Sequence, residues 1–316
     1  MGKRSSYEQG TFSWVDLATP DAAAAKEFYG KLFGWSFEDV PVGDDGVYVM
    51  ASVDGANVGA ISQAEGPPRW NSYITVDDVD AMTEKADEAG ATVHSKPFDV
   101  MDAGRMSVIQ DPSGGVVSLW QAKDTHGAEV VNVHGALTWN DLMTYDVGEA
   151  AEFYAELLGW EVAEMDAGED SDDDDDDDSS DDDDGDEDGV HVDADDATDA
   201  PGAGDDEPDD DDDGDAEDDA EPGSQTTRGE EQRLLIKNGD RLNGGMGTIP
   251  RSAGETVPPH WLPYFAVDSI DDALAGVKDG GGTVMAGPVD FPAGQLAVIA
   301  DPQGAVFGVF NGDFDD

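Results

Sequence analysis

Two tryptophan–aspartate pairs have the residue types and spacing for chemistry. Trp14 and Asp16 lie two positions apart in the segment FSWVDLA, and Trp139 and Asp141 do so in GALTWNDL. Side chains two positions apart on a strand point to the same face, so each pair would place an indole beside a carboxylate. Such a pair suits a flat or cationic organic ligand. Burial beside the indole would also raise the pKa of the carboxyl group, which would make Asp16 or Asp141 a candidate acid or base.

The alternative interpretation of these pairs is structural. Each tryptophan would then belong to the core, and each aspartate would pair with Arg105 or with a backbone amide. Arg105 is the only plausible interior cation in the first half of the chain, and Gln295 stands near the corresponding place in the second half. The two halves therefore need not contain equivalent sites.

The elements that position the two pairs are repeated along the chain. Residues 10–35 (GTFSWVDLATPDAAAAKEFYGKLFGW) return 125 positions later as residues 135–160. Alternation predicts a strand in which Phe12, Trp14 and Asp16 share one face, followed by a helix that begins after Asp21 and ends at Gly34. Three further strands complete a βαβββ unit, and residues 70–121 repeat that order. A fixed offset of this kind indicates a tandem repeat.

A long acidic insertion interrupts the second copy. The motif Asp-Pro-x-Gly occurs at 111–114 and at 301–304, an offset of 190 instead of 125, so about 65 residues are inserted. Residues 166–222 hold 34 of the acidic residues and no Lys or Arg, which predicts a disordered segment. The expected organisation is a tail (1–9), a first domain (10–121), a linker (122–133), a second domain (134–311) with a disordered insertion (166–229), and a tail (312–316).

The charge of the chain restricts its partners. It has 75 acidic and 15 basic residues, a net charge of −60, which disfavours nucleic acid and anionic membranes. An acidic, lysine-poor surface is typical of a halophile, where molar salt screens the self-repulsion. Cysteine is absent, and the N-terminus has no apolar signal segment. We expect a cytoplasmic monomer or homodimer whose partner is a small molecule.

Four βαβββ units with Phe-Tyr-x-x-Leu-x-Gly-Trp after the first helix and Asp-Pro-x-Gly before the last strand resemble the vicinal-oxygen-chelate superfamily. This superfamily includes glyoxalase I, bleomycin-resistance proteins and extradiol dioxygenases. The resemblance covers residues 10–121, 134–165 and 230–311. It implies an α+β fold with two domains, each a half-open curved sheet with helices outside and a ligand cavity inside. The expected ligand-binding residues are Trp14, Asp16, Asn71, Tyr73, Arg105, Ser118, Trp120, Trp139, Asp141, Tyr264 and Phe310.

The resemblance also implies where a divalent metal ion would bind. Enzymatic members use a His or Gln, a carboxylate, a second His and a Glu. The corresponding positions in the first half are Trp14, residues 60–63, Asn71 and Ser118. In the second half they are Trp139, residues 246–250, Leu262 and Gly308. None is His, Asp or Glu. A hard divalent ion needs several oxygen or imidazole ligands, so we expect neither a metal nor another cofactor.

Three functions remain open from the sequence. The leading one is metal-independent binding of a small organic molecule, for sequestration or resistance, with Trp14, Asp16, Trp139 and Asp141 as pocket markers. The second is an enzyme, either a metal-dependent lyase, isomerase or dioxygenase or one that uses Asp16 or Asp141 for acid–base catalysis. The third is an interaction scaffold that acts through the polyaspartate insertion.

Overall fold

The computed structural model describes residues 2–43, 46–164, 232–250, 257–291 and 293–312. The predicted acidic insertion at 166–229 lies outside the described residues. In the part of the chain that the structure describes, no helix is long and apolar enough to cross a membrane.

The first half of the chain forms one mixed sheet of eight strands. The elements are β1 (Gly2–Lys3), β2 (Phe12–Thr19), α1 (Ala22–Phe33), β3 (Ser36–Val42), β4 (Gly46–Val53), β5 (Ala56–Gln63), β6 (Arg69–Thr75), α2 (Val79–Glu88), β7 (Thr92–Val100), β8 (Gly104–Gln110) and β9 (Val116–Ala122). The first sheet has the order β3-β4-β5-β2-β6-β9-β8-β7. Its two βαβββ units meet at the antiparallel pair β2–β6.

The second half repeats this arrangement. Its elements are β10 (Val130–Val131), β11 (Leu137–Thr144), α3 (Val147–Leu158), β12 (Glu161–Glu164), β13 (Arg233–Asn238), β14 (Arg241–Thr248), β15 (His260–Ala266), α4 (Ile270–Asp279), β16 (Thr283–Phe291), β17 (Gly294–Ala300) and β18 (Val306–Gly312). The second sheet has the order β12-β13-β14-β11-β15-β18-β17-β16, which matches the first strand for strand. The predicted α+β tandem fold is confirmed.

Local signals define the repeated helices. The Asp21 side chain accepts a hydrogen bond from the Ala24 amide at 2.9 Å, and Asp146 caps α3 in the same way. Such a cap satisfies an amide that the first turn of a helix leaves free. Gly34 (φ 69°) and Gly159 (φ 74°) end the two helices in the left-handed conformation, which glycine adopts without a steric penalty.

The repeated motifs join the two halves reciprocally. The Tyr29 hydroxyl of α1 donates to Asp301 Oδ2 at 3.0 Å, and the Tyr154 hydroxyl of α3 donates to Asp111 Oδ2 at 2.8 Å. Each Phe-Tyr motif therefore binds the Asp-Pro-x-Gly turn of the other half. All four side chains are buried in or beside an aromatic core. The motifs that predict the fold thus stabilise the contact between the sheets.

The predicted N-terminal tail and linker pair with each other. Strand β1 is antiparallel to β10, and the Tyr7 hydroxyl donates to the Ala128 carbonyl at 2.8 Å. We call residues 2–9 and 123–131 together the strap. Its side chains Tyr7, Ala128 and Val131 pack against the first sheet on the face opposite the helices. That face of either sheet is called its inner face below.

Candidate functional site

A β-bulge determines which side chains reach the inner face of the first sheet. The register of β2 against β6 shifts between Phe12 and Trp14. Phe12 consequently packs in the main core, with its ring 4.9 Å from that of Trp261, whereas Trp14 belongs to the inner-face cluster. The prediction that Phe12 shares the face of Trp14 is therefore wrong, because simple alternation does not allow for an extra residue. β11 carries an equivalent irregularity between Leu137 and Trp139.

Asp16 is the centre of a hydrogen-bond network on the first inner face. It is 5% exposed. The Asn71 amide donates to Oδ1 at 2.7 Å, and the hydroxyls of Tyr73 and Tyr48 donate to Oδ2 at 2.7 and 2.9 Å. The indole of Trp14 donates to the Tyr48 oxygen at 2.9 Å. Asn71 and Tyr73 were predicted here; Tyr48 was not, because its strand lies two positions away in the sheet.

The first site contains neutral hydrogen-bond donors. In the described part of the chain, no Lys or Arg forms an ion pair with Asp16. Burial raises the pKa of Asp16, and the hydrogen bonds from Asn71, Tyr73 and Tyr48, together with the charge of Arg69, offset only part of that effect. Burial and the neighbouring carboxylate likewise hold the pKa values of Tyr48 and Tyr73 well above the ordinary range. Asp16 therefore takes up a proton more readily than an exposed aspartate.

The strap covers this first site. Trp14, Tyr73 and Trp120 are buried where Ala128 and Val131 pack on them. The Trp120 indole also donates to the Thr125 carbonyl at 3.0 Å. The predicted pocket markers therefore lie together on one face, but a segment of the chain itself occupies the space in front of them.

Arg105 does not belong to this site. It forms a two-pronged ion pair with Asp80 of α2, with N···O distances of 2.7 and 2.9 Å, and it also contacts Asp99. Its neighbour Met106 lies opposite Trp120 in the register and packs on the inner face. Because neighbouring strand residues point to opposite faces, Arg105 lies on the helix side. The prediction of Arg105 as an interior cation is wrong, because the inner face is occupied by the next residue of the strand.

The second inner face holds an ion pair instead of the neutral network. Asp141 is 1% exposed. The Trp139 indole donates to Oδ1 at 2.7 Å, and Arg233 Nη2 donates to Oδ2 at 2.5 Å. Burial and the neighbouring Asp141 carboxylate hold the pKa of Tyr264 well above its ordinary value, and the nearby Arg233 opposes that shift. Trp139, Asp141 and Tyr264 were predicted here, and the neighbouring strand contributes Gly245, where a Cβ atom would collide with Asp141.

Arg233 is a site residue that the sequence alone did not reveal. Burial opposes its charge, but the Asp141 carboxylate more than compensates, so the pKa of the guanidinium lies above its ordinary value. The Arg233 side chain is 32% exposed, and its guanidinium lies 5.7 Å from the centre of the Phe291 ring. Its Nε atom is buried and has no hydrogen-bond partner in the described structure. The register of β13 against its neighbour is needed to place Arg233. With that register, alternation along β13 puts Arg233 on the inner face.

The remaining predicted residues occupy matched positions in the two sheets. Ser118 lies opposite Tyr73, as Gly308 lies opposite Tyr264. Trp120 corresponds to Phe310, which lies across from Leu296 on the second inner face. At Gly308 a Cβ atom would collide with the ring of Tyr264. Each predicted residue except Arg105 therefore lies on an inner face.

A cavity of about 470 Å³ opens at the end of the second sheet. It lies where β16, β17 and β18 end, and it includes Phe291, the ring beneath Arg233. The other lining residues are Asp290, Ala293, Gly294, Gln295, Asn311 and Gly312. Phe291 therefore lies beside both the Arg233 guanidinium and this cavity, although neither Arg233 nor Asp141 lines the cavity.

The residues at the expected metal positions do not fit a divalent ion. Trp14 has no oxygen or imidazole ligand, and Asn71, whose amide nitrogen donates to Asp16, offers only one neutral amide oxygen. Within the described residues, no group of three or more His, Asp or Glu side chains could hold a metal ion. Hydrogen-bond donors converge on a carboxylate here, whereas at a metal site oxygen ligands converge on a cation.

Comparisons with known proteins agree with this architecture. The model of the Glyoxalase/Bleomycin resistance protein/Dioxygenase superfamily matches residues 11–119 and 136–309. The chain is 38% identical over 317 residues to a Mycobacterium tuberculosis protein named "Putative glyoxylase CFP32", covering 98% of this chain and 97% of the relative. It is 30% identical to the anthracycline biosynthesis protein DauV of Streptomyces sp. strain C5, covering 96% and 94%. The Mn(II)-bound glyoxalase from Novosphingobium aromaticivorans shares the fold, with a TM-score of 0.56 at 15% identity, over 100% of this chain and 86% of that one.

Proposed function

We propose, from the premise that the chain belongs to the Glyoxalase/Bleomycin resistance protein/Dioxygenase superfamily, that it binds a flat small organic molecule without a divalent metal ion. The inner face of the second sheet is the binding surface. Its ligand is held between aromatic side chains and the Asp141–Arg233 ion pair, and the biological role is sequestration of that molecule or resistance to it.

One observation supports this proposal above the others: the Asp141–Arg233 pair is fixed beneath a partly open aromatic surface. Trp139 and Phe291 are half-buried, and Phe291 also lines the cavity at the end of the sheet. Aromatic walls with a few fixed polar groups are typical of small-molecule sites. The equivalent surface of the first sheet is covered by the strap, so we assign binding to the second sheet.

The relatives support a flat ligand. A protein named for anthracycline biosynthesis is 30% identical over nearly the whole chain, and that name implies planar, fused aromatic rings. Planar rings stack on indole and phenyl side chains, with a gain of about 0.5–1.5 kcal/mol per aromatic pair beyond burial. The residues at the metal positions do not supply ligands, which favours binding over metal chemistry.

Tryptophan fluorescence tests the proposal. We expect anthraquinone probes to quench the wild-type protein in molar KCl, with the same dissociation constant in EDTA and after addition of Mn²⁺. Trp139→Phe is expected to weaken binding about 3- to 10-fold, whereas Trp14→Phe, its counterpart under the strap, is the matched control and leaves the dissociation constant unchanged. Binding that requires Mn²⁺, or that fails only in Trp14→Phe, would refute the proposal.

A second candidate function is proton transfer by Asp16, which requires the strap to move away from the first inner face. The observation that favours it is the raised pKa of this carboxyl group, which burial produces beside two phenols. A general acid or base of this type would change the ligand chemically instead of only holding it. Mass spectrometry of the ligand after incubation in deuterium oxide separates the candidates. A ligand of unchanged mass and isotope content excludes proton transfer to carbon.

A further inference from the structure

We infer that the ligand of the second inner face carries an anionic oxygen, as an aryl carboxylate, phenolate or enolate does, and that Arg233 selects it. This inference rests on the proposed binding at that face. It adds the chemical class of the ligand and a specificity-determining residue.

The two sheets show that the aspartate does not need a guanidinium. In the first sheet, Asp16 lies opposite Ala60 of β5, and Tyr48 of β4 lies opposite Ser62, two residues further along β5. In the second sheet, Asp141 lies opposite Gly245 of β14, and Arg233 of β13 lies opposite Gly247, again two residues further along. Gly245 corresponds to Ala60 and Gly247 to Ser62, so Arg233 occupies the place of Tyr48. Tyr48 donates one neutral hydrogen bond to its aspartate at 2.9 Å. A cation at the same place therefore has a use beyond holding the carboxylate.

The hydrogen bonds of Arg233 leave donors for a ligand. Arg233 contacts Asp141 through one bond, from Nη2 to Oδ2, while Oδ1 accepts from Trp139. The buried Nε has no partner among the described residues. An arginine has five N–H donors in a fixed fork, and a buried donor without an acceptor is unfavourable. A ligand oxygen can accept from the exposed part of this fork, whereas the buried Nε becomes accessible to it only when the side chain shifts.

The surroundings of Arg233 favour an oxygen attached to an aromatic ring. The Phe291 ring lies 5.7 Å from the guanidinium carbon, and about a third of the Arg233 side chain is exposed. A flat ligand can therefore reach the cation along the aromatic surface. The position that Asn71 occupies in the first sheet is Leu262 in the second, so the second site offers fewer neutral donors and depends more on the charge.

The negative charge of the chain gives such a cation a role in binding an acidic ligand. With a net charge of −60, the protein repels anions, and a fixed guanidinium compensates locally. Guanidinium also binds carboxylate with matched geometry, which a point charge such as ammonium does not. A neutral analogue of the same shape gains less from it, because its hydrogen bonds to the guanidinium lack the second charge.

Paired probes test this inference. Anthraquinone-2-carboxylate and anthraquinone-2-carboxamide share one ring system and differ in charge, and both are titrated in molar KCl against the full-length chain. We expect the acid to bind roughly 10- to 100-fold more tightly, the range of a hydrogen bond to a charged group. Arg233→Tyr recreates the arrangement of Tyr48 and Asp16, so Asp141 keeps a donor. It is expected to abolish the preference while leaving amide binding within a factor of about three.

Arg233→Lys and Tyr48→Phe complete the experiment. The lysine variant retains charge but not the fork, and we expect it to keep only part of the preference. Tyr48→Phe changes the equivalent residue of the first sheet and should leave the preference intact. Equal binding of the two probes to the wild type, or a preference that survives in a folded Arg233→Tyr variant, overturns the inference but not the proposed function. If neither probe binds, the proposed function fails and the inference with it.

Discussion

The inner face of each sheet holds one aspartate on the corresponding strand, but different side chains surround the aspartate in the two sheets. Asp16 accepts from two phenols and an amide, and the strap covers it. Asp141 accepts from an indole and a guanidinium, and its surface remains partly open. Both sheets have the same strand order. The difference therefore lies in side chains and in the strap, and the backbone frame is common to both.

This comparison shows how a repeated fold can separate stability from binding. A buried carboxyl with neutral donors can accept a proton, so no counter-charge has to be kept nearby. A carboxylate paired with arginine keeps a cation at the surface of the site. The first site contributes to the packing beneath the strap, whereas the second, in the proposed function, presents charge to a ligand. Three predictions test this division, beginning with the largest expected effect.

Asp141→Asn should destabilise the protein by about 2–3 kcal/mol. Removing one partner of a buried ion pair typically costs ~3–5 kcal/mol, and the exposed third of Arg233 reduces that cost. Chemical denaturation in molar KCl measures the free energy of unfolding. The double variant Asp141→Asn, Arg233→Met should recover most of the loss, because it removes the unpaired charge. If the double variant is no more stable than the single one, the ion pair is not what distinguishes the second site.

The second prediction concerns the region in which the halves are alike. Tyr29→Phe and Tyr154→Phe should each lower the free energy of unfolding by about 1–2 kcal/mol, because each removes a hydrogen bond to a buried aspartate of the other half. The loss for Tyr154→Phe should be the larger, because the Tyr154 oxygen also accepts from the Trp261 indole at 3.1 Å, and the two losses should be additive, since the contacts are separate. A loss for one variant only would show that the symmetry of the fold does not extend to its energetics.

Much of the fold could be predicted from the sequence because its signals are local. The Asp21 cap and the Gly34 end of α1 act within a few residues, and the repeat supplied the same elements twice. Helical periodicity predicts a buried stripe on α1 that includes Ala24, and this is wrong at that residue: Ala24 is exposed, and Ala25 is buried instead. The buried side of a helix is the side that packs on the sheet, and the sequence alone does not show where the sheet lies. An error of one residue in the buried stripe follows.

The candidate site was less predictable because its partners come from distant strands. Tyr48 reaches Asp16 across an intervening strand, and Arg233 lies 92 positions from Asp141. Their registers depend on tertiary pairing, which a single sequence does not show. The covering of Trp14 by the strap was missed for the same reason, since residues 1–9 and 122–133 carry no repeat or motif. Arg105 was assigned to the wrong face of its strand, because the sequence does not show which alternate residues point inward.

The third prediction has the smallest effect and depends on pH. Because the pKa of Asp16 is raised in the folded state, the folded protein holds its proton at pH values where the unfolded chain has lost it. The free energy of unfolding therefore falls as pH rises from the unfolded pKa of about 3.9 towards the folded pKa, and the deficit then stays constant. Asp16→Asn does not titrate, so its stability relative to the wild type should rise over that window by about 1 kcal/mol per pH unit.

Denaturation of both proteins across this pH range in molar KCl measures the difference. Other carboxyl groups titrate in both proteins and cancel, including Asp111, whose pKa is raised by burial. Tyr48 and Tyr73 can hydrogen-bond an amide as well as a carboxyl, so the substitution keeps the network. A relative stability that falls with pH would mean that Asp16 is stabilised as a carboxylate. The first site would then resemble the second in its electrostatics, and only the strap would distinguish the two faces.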